Sequence, residues 1–505
     1  MVGGGRHRYN CPYFMDNKEI EMTITIVGLG PGNPALLTRQ AWDVISAARE
    51  IYVRTARHPT LDGLPSTVTV HSFDAVYEET QQFAEVYQRI ADEVLRLGGQ
   101  GDIIYCVPGH PLVGEATVTD IVRRAKDAGI ATQIIAGLSF IEPALTALQL
   151  DALDGVQIVD ALEVAAAHHP PLDPDQPALL AQVYNRAVAS DVKLTLLNQY
   201  PPEHEVALLQ AVGTQFEQVI RLPLAEIDRR DDLAHLTSLF VPPLSQVGGF
   251  NAFQETIAHL RAPEGCPWDR EQTHQSLRKY LLEETYEVLE ALDADDPDAL
   301  REELGDLLLQ IVLHAQVAVD QEEFRMPEVI AGINAKLIRR HPHVFGDVTV
   351  NDSNDVKRNW QAIKQEEAEE NGKAKKRESA LDGVPRGLPA LAEADALSGK
   401  AAHANFDWRS IDGVIDKVAE EIRELQSVEN EAEREEELGD VLFSIANLAR
   451  WLKIDPEAAL RSANAKFSAR FREVERLARS QQRSLSELSD RELDDLWNQA
   501  KATLS

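Results

Sequence analysis

At 505 residues, 44% hydrophobic and 26% charged, the chain has globular composition and is too long for one typical domain. Its formal net charge of −33 argues against broad binding to nucleic-acid polymers or anionic membranes, and no apolar run is long enough to span a bilayer. Cys11, Cys106 and Cys266, few and scattered, fit a reducing cytoplasm better than a disulfide framework.

Residues 1–21 lack an apolar core and read as a loose extension. Residues 22–240 then alternate short β-branched runs with helical patterns. MTITIVGLG, GDIIYCV, ATQIIAG and VKLTLL read as strands, and LLTRQAWDVISAA and ATVTDIVRRAKDAG as helices, which predicts an α/β domain. TIVGLGPGN (25–33) ends the first strand in a Gly-Pro-Gly turn, where backbone can approach a ligand. It departs from the dinucleotide pattern, because Gly28, Gly30 and Gly32 are spaced G-x-G-x-G and Pro31 intervenes.

A joint rich in Pro and Gly, VPPLSQVGGF (241–250), leads into a half that reads as all-α and repeats itself. EETYE (283–287) recurs as EEIRE (420–424), REELGDLLLQ (301–310) as EEELGDVLFS (435–444), NAKLIRR (334–340) as NAKFSAR (464–470), and Trp360 as Trp497. The offsets of 137, 134, 130 and 137 residues point to one duplicated helical unit with length changes in its loops. The copies are placed at 251–364 and 381–505, separated by a charged linker over 365–380.

A helical wheel surrounds most of the second helix with Leu304, Leu307, Leu308, Leu309, Ile311 and Val312, leaving a polar stripe of Glu303, Asp306 and Gln310. In the other copy the stripe is Glu437, Asp440, Ser444 and Asn447. Glu284 and Glu287, or Glu421 and Glu424, sit one turn apart on the preceding helix. Four carboxylates converging at a partly buried spot would repel one another unless a cation joined them, and an oxygen-only set suits Mg²⁺ or Mn²⁺. A di-iron site wants Glu-x-x-His, which neither copy has; His314 lies near the stripe but its counterpart is Leu448, so it reads as a packed histidine or one that supports a ligand from behind. On a third helix Lys336 with Arg340, and Lys466 with Arg470 after Asn464, are one turn apart and suit a polyphosphate.

CPWD (266–269), EExxE, ELGD, RRHPHVF (339–345), LPAL (388–391) and NAKFSARFREVER together resemble the MazG family of nucleoside triphosphate pyrophosphohydrolases in its two-repeat form. The resemblance implies an all-α, usually dimeric enzyme that hydrolyses nucleoside triphosphates to monophosphate and pyrophosphate using Mg²⁺. It assigns the metal to Glu421, Glu424, Glu437 and Asp440, nucleotide contacts to Lys417, Lys466, Arg470 and Trp497, and activity to the second repeat. The first repeat keeps Glu284, Glu287, Glu303, Asp306, Lys336 and Arg340.

TIVGLGPGN, YCVPGHPLVGEAT (105–117) and IIAGLSFIEPALTALQL (134–150) resemble the tetrapyrrole methylases over residues 22–240. That resemblance implies a two-lobed α/β domain binding S-adenosylmethionine through the Gly28-Gly30-Pro31 turn, Pro108-Gly109-His110-Pro111 and Gly137 to Ser139. His110 stands where the family has Asp in a G-D-P turn. The sequence thus reads as a methylase-like domain fused to a duplicated pyrophosphohydrolase. Two other readings stay open: methyl transfer with the helical half for dimerisation, or a non-catalytic sensor of nucleotide and S-adenosylmethionine.

Overall fold

The computed structural model describes residues 22–79, 83–370, 379–385 and 387–504. The predicted N-terminal extension and residues 371–378 of the predicted linker lie outside the described residues. The chain divides into two compact units, Met1–Gly265 and Cys266–Ser505.

In the first unit, strands β1 (Thr23–Gly28), β2 (Glu50–Val53), β3 (Thr69–Ser72), β4 (Ile103–Val107) and β5 (Ala131–Ile135) form a parallel sheet in the order β3-β2-β4-β1-β5. A parallel sheet needs cover on both faces. Helix α1 (Arg39–Ala47) supplies Ala41 and Ile45 to one face. After α2 (Asp74–Glu79), helices α3 (Phe83–Gly98) and α4 (Ala116–Asp127) supply Val86, Ile90, Val94, Val118 and Ile121 to the other. Helix α5 (Ile141–Leu148) leads to a second, mixed sheet. Its strands are β6 (Gln157–Asp160), β7 (Ala178–Ala181), β8 (Glu205–Gln210), β9 (Gln218–Pro223) and β10 (Thr237–Val241), ordered β6-β7-β10-β8-β9. Helix α6 (Ala161–Ala166) and helix α7 (Arg186–Leu196) pack beside it.

One strand assignment from the sequence is wrong. VKLTLL is the end of α7, not a strand. Asn185 caps that helix, and Val188, Ala189, Val192, Thr195 and Leu196 bury one face at a three-to-four-residue spacing. Helical periodicity across the preceding residues overrides the β-branched run.

The joint at 241–250 is anchored to the α/β unit: the amides of Gly248 and Gly249 each donate to the Asp175 carboxylate at 2.8 Å. Helix α8 (Phe250–Arg261) also falls inside the first unit, which runs to Gly265.

The second unit is helical. Its first copy holds α9 (Pro267–Glu271), α10 (His274–Asp293), α11 (Pro297–Asp320), α12 (Met326–Arg340), α13 (Pro342–Phe345) and α14 (Ser353–Glu370). Helix α14 thus runs through 365–370, the first residues of the predicted charged linker. The second copy holds α15 (Ala390–His403), α16 (Ile411–Ser427), α17 (Glu431–Leu452), α18 (Pro456–Ser480) and α19 (Asp490–Thr503). Helices α10 and α11, and α16 and α17, form the two corresponding hairpins, with starts capped by Thr273, Asp296 and Asn430. The copies diverge after their shared NAK motif: α12 stops before Pro342, whereas α18 continues to Ser480.

The leucines lie otherwise than the wheel suggests. The polar stripe faces the neighbouring helix, with Gln310, Ser444 and Asn447 all buried. Leu304, Leu308 and Ile311, their counterparts Leu438, Leu442 and Ile445, and also Phe443, are about 39–49% exposed on the outer faces.

Candidate functional site

The two hairpins build the same site twice. Oxygens of Glu284 on α10 and of Glu303 and Asp306 on α11 lie within 4.8 Å of one another, as do those of Glu421 on α16 and of Glu437 and Asp440 on α17. The three-residue spacing of Glu303 and Asp306 keeps both on the face turned to α10. Glu287 and Glu424 stand exposed at the edge of each triple. Burial raises the Glu284 carboxyl above its ordinary value, helped by hydrogen bonding to Glu287 and the charge of Asp306. Glu303 is raised by loss of solvent and then by Glu287 and Asp306. Glu437 is raised in the same way, with Glu424, Glu421 and Asp440 as the charges behind it. Mutual repulsion across an oxygen-only set is what a hard divalent cation relieves, so the residues fit Mg²⁺.

The surroundings of the triples differ. In the first, the buried Gln310 donates to Glu284 at 3.4 Å. Beyond it, His274 and His314 share a hydrogen bond between their Nδ1 atoms at 2.8 Å, and His274 reaches Glu323 at 3.3 Å. His314 is thus hydrogen-bonded as well as packed. In the second, Lys417 bonds Glu421 at 2.7 Å and Glu420 at 2.8 Å. Its ammonium, assigned to nucleotide by the resemblance, is here held on the acidic cluster; both carboxylates raise its pKa. Asp407, just ahead of α16 in the string NFDW (405–408), anchors the end of α17, accepting from Arg450 at 2.7 Å and from the Trp451 indole at 3.1 Å.

The basic helices also differ. Arg340 is bonded to Glu367 at 2.5 Å and stacks over Trp360 at 4.8 Å, so its fork is committed. Glu367 corresponds to Leu504 in the second copy, at the Trp360-to-Trp497 offset. There the Nε of Arg470 is buried without a hydrogen-bond partner among the described residues. Lys336, Asn464 and Lys466 are exposed. Trp497 packs on Phe467 with ring centres 5.4 Å apart. Among the described residues no ion pair joins Lys336, Arg340, Lys466 or Arg470 to the acidic triples.

In the α/β unit the predicted cofactor residues meet at the C-terminal ends of β1, β4 and β5, where open α/β sheets bind ligands. Gly30 and Gly109, at φ +73° and +66°, pair through hydrogen bonds of 2.8 and 3.2 Å. Gly28 and Gly137 approach so closely that a Cβ on Gly28 would lie 2.5 Å from the Gly109 oxygen and 2.7 Å from the Gly137 nitrogen. Above Gly109 the nearest atom to an added Cβ is Ser139 Cα at 3.9 Å, which leaves room for a ligand. The Pro108-Gly109-His110-Pro111 turn is closed by His110 itself, whose Nδ1 accepts from the Leu112 amide at 3.0 Å. The Ser139 hydroxyl donates to Glu142 at 2.7 Å and accepts from the Ile141 amide, so it starts α5.

Sequence reading missed a buried cluster next to this crevice. Arg54, just after β2, pairs with Glu115 at 2.8 Å, and Thr117 reaches both Glu115 and the Tyr105 hydroxyl. Burial pushes the Glu115 carboxyl up to about 7 despite Arg54. A carboxyl raised in the folded state contributes stability that is full below its ordinary 4.5 and is lost as pH rises through about 7. Measured against Glu115→Gln by equilibrium unfolding, the wild type is expected to lose about 3 kcal/mol of relative stability across that window.

Two family models match this chain: Tetrapyrrole (Corrin/Porphyrin) Methylases over residues 23–228, and the MazG nucleotide pyrophosphohydrolase domain over 272–345 and 410–474. The uncharacterized protein YabN of Bacillus subtilis is 42% identical over 489 residues, 95% of this chain and 98% of YabN. The nucleoside triphosphate pyrophosphohydrolase/pyrophosphatase MazG of Thermotoga maritima is 45% identical over 252 residues, 49% of this chain and 95% of that protein. The nucleoside triphosphate pyrophosphohydrolase of Escherichia coli K12 is 46% identical over 251 residues, 48% of this chain and 94% of the enzyme. With its two acidic hairpins and its α/β unit, this chain belongs to the MazG family, in the form that carries a tetrapyrrole-methylase domain ahead of two MazG repeats.

Proposed function

We propose that the helical unit hydrolyses nucleoside triphosphates to monophosphate and pyrophosphate with Mg²⁺, Mn²⁺ serving in its place, and that the second repeat is the catalyst. The carrying observation is the carboxylate triple Glu421, Glu437 and Asp440 in a chain closely similar to enzymes of that activity. Glu421, Glu437 and Asp440, with Glu424 at their edge, would hold the cation, which would supply charge neutralisation and a more acidic water. A carboxylate of the set left free of the metal would take a proton as general base. Lys417 leaves Glu421 for the nucleotide, and Lys466, Arg470 and Asn464 bind the polyphosphate, with Trp497 beside them. The commitment of Arg340 to Glu367 is what favours the second repeat over the first. Removal of divalent metal with EDTA is expected to abolish pyrophosphate release, and added Mg²⁺ to restore it; release unaffected by EDTA contradicts the metal assignment.

The exposed outer faces of α11 and α17 support a homodimer, since runs of half-exposed leucine and phenylalanine are sites of association, and the few scattered cysteines accord with a cytoplasmic location. Light scattering is expected to give twice the 56.0 kDa chain mass, and Leu442→Glu to give the monomer with at least about tenfold less activity. The α/β unit is assigned S-adenosylmethionine at the Gly28, Gly109 and Gly137 crevice. A nucleotide-pool house-cleaning role accords with these activities.

A further inference from the structure

The glycine turn that follows β1 needs a hold that its own residues do not supply. Leu29-Gly30-Pro31-Gly32 carries two glycines, at φ +73° and +116°, and glycine loses more conformational freedom on folding than any other residue. On the sheet side the Leu29 amide donates to the Val107 oxygen at 2.8 Å, and Gly30 and Gly109 exchange their paired bonds. These use the Gly30 amide and one lone pair of its carbonyl. The Leu29 carbonyl is left to a side chain.

The 3₁₀ segment Pro59–Gly63 and the residue before it supply what is missing. The Thr60 hydroxyl, fully buried, donates to the Leu29 carbonyl at 3.0 Å. The His58 ring, also buried, is hydrogen-bonded to the Gly30 backbone. Its Nδ1 has no hydrogen-bond partner among the described residues, so Nε2 is the donor and the Gly30 carbonyl accepts twice. Burial, with the Arg54 charge behind it, pushes His58 down to about 4, so the donor is a neutral imidazole. The contact continues along the turn. A Cβ on Gly32 would lie 3.6 Å from Pro59, and one on Gly63 only 2.5 Å from Pro34, so the segment lies this close because residue 63 has no side chain.

Two consecutive carbonyls of the turn are thus held by side chains from one neighbouring segment. Without those donors the peptides on either side of Gly30 are free to flip, since glycine sets no barrier of its own. A flip would pull the Gly30 carbonyl off the Gly109 amide. We propose that His58 and Thr60 are positioning residues of the cofactor crevice: they fix the Leu29 and Gly30 carbonyls so that the turn stays seated on Gly109 in the shape that takes S-adenosylmethionine. The last clause rests on the S-adenosylmethionine reading of the crevice; the holding role rests on the bonds themselves.

The test pairs calorimetric titration of the full chain with S-adenosylhomocysteine and amide hydrogen exchange at Gly30 and Gly109. Thr60→Val keeps the shape and removes the donor. Affinity is expected to fall at least about tenfold and exchange to accelerate by at least as much, the scale on which a buried carbonyl left unbonded counts. Thr60→Ser returns the hydroxyl and should bring both readings within about threefold of wild type. His58→Phe keeps a ring without a donor and should repeat the loss; the Thr60 pair decides the point if that variant does not fold. A merely structural role lowers the unfolding midpoint of Thr60→Val and leaves the folded protein's affinity and exchange unchanged. That result overturns the proposal, as does failure of Thr60→Ser to restore binding. If the wild type does not bind S-adenosylhomocysteine, the cofactor reading falls and exchange alone decides: acceleration in Thr60→Val supports the holding role, and no change overturns it.

Discussion

Glu437→Gln is expected to lower pyrophosphate release by at least about 100-fold, the scale on which one charge-organising group at a phosphoryl centre counts. Glu303→Gln, its counterpart in the first repeat, is expected to cost less than about fivefold. Both carboxyls sit in the same kind of triple and are raised by the same neighbours, so the acids alone do not predict the difference. The cations do. Arg340 is tied to Glu367 and stacked on Trp360, whereas the second copy has Leu504 at the position of Glu367 and Arg470 keeps an Nε unpartnered among the described residues. A first repeat able to gather metal but short of a phosphate clamp should bind without turning over. Steady-state kinetics on both variants decide the point, and the reverse ranking would assign catalysis to the first repeat.

Gly28→Ala is the second large effect. An added Cβ would sit between the Gly109 oxygen and the Gly137 nitrogen, 2.5 and 2.7 Å away, and both are backbone atoms. A side chain can swing aside, but the two loops hydrogen-bonded through Gly30 and Gly109 and the Gly137 loop packed against them have to separate together. We expect about 3 kcal/mol or more of destabilisation in the α/β unit, above the usual range for overpacking. Affinity for S-adenosylhomocysteine should be lost with it, while pyrophosphate release persists. Unfolding monitored alongside calorimetric titration gives both readings from one protein.

The duplication was open to sequence reading because it is carried by local strings: EExxE, ELGD and NAK-x-x-x-R keep their internal spacing in both copies. The acidic faces followed in part, since three- and four-residue spacings on helices map onto one face: of the four carboxylates expected in each copy, three converge, and Glu287 and Glu424 stand at the edge. Burial was harder. Leu304, Leu308 and Ile311 look like core on a wheel, but which helix face meets a neighbour depends on the packing of α10 and α11, and these side chains face outward. VKLTLL misled because β-branched composition says strand, while the deciding signals, Asn185 and the buried spacing from Val188, lie upstream. Arg54, His58 and Glu115 carry no motif at all. They come from the ends of different elements, and only the order β3-β2-β4-β1-β5 brings them together. Lys417 shows a further limit: its position was identifiable, but its bonds to Glu420 and Glu421 are a property of the fold.

The most direct measurement is product identification from α-phosphate-labelled nucleoside triphosphates, incubated with the full chain and Mg²⁺. Label appearing in the monophosphate, with pyrophosphate in equal amount and no orthophosphate, is the predicted result. Label appearing in the diphosphate with orthophosphate, or remaining in the triphosphate across all nucleotides, would contradict the assignment of pyrophosphohydrolase chemistry to the helical unit.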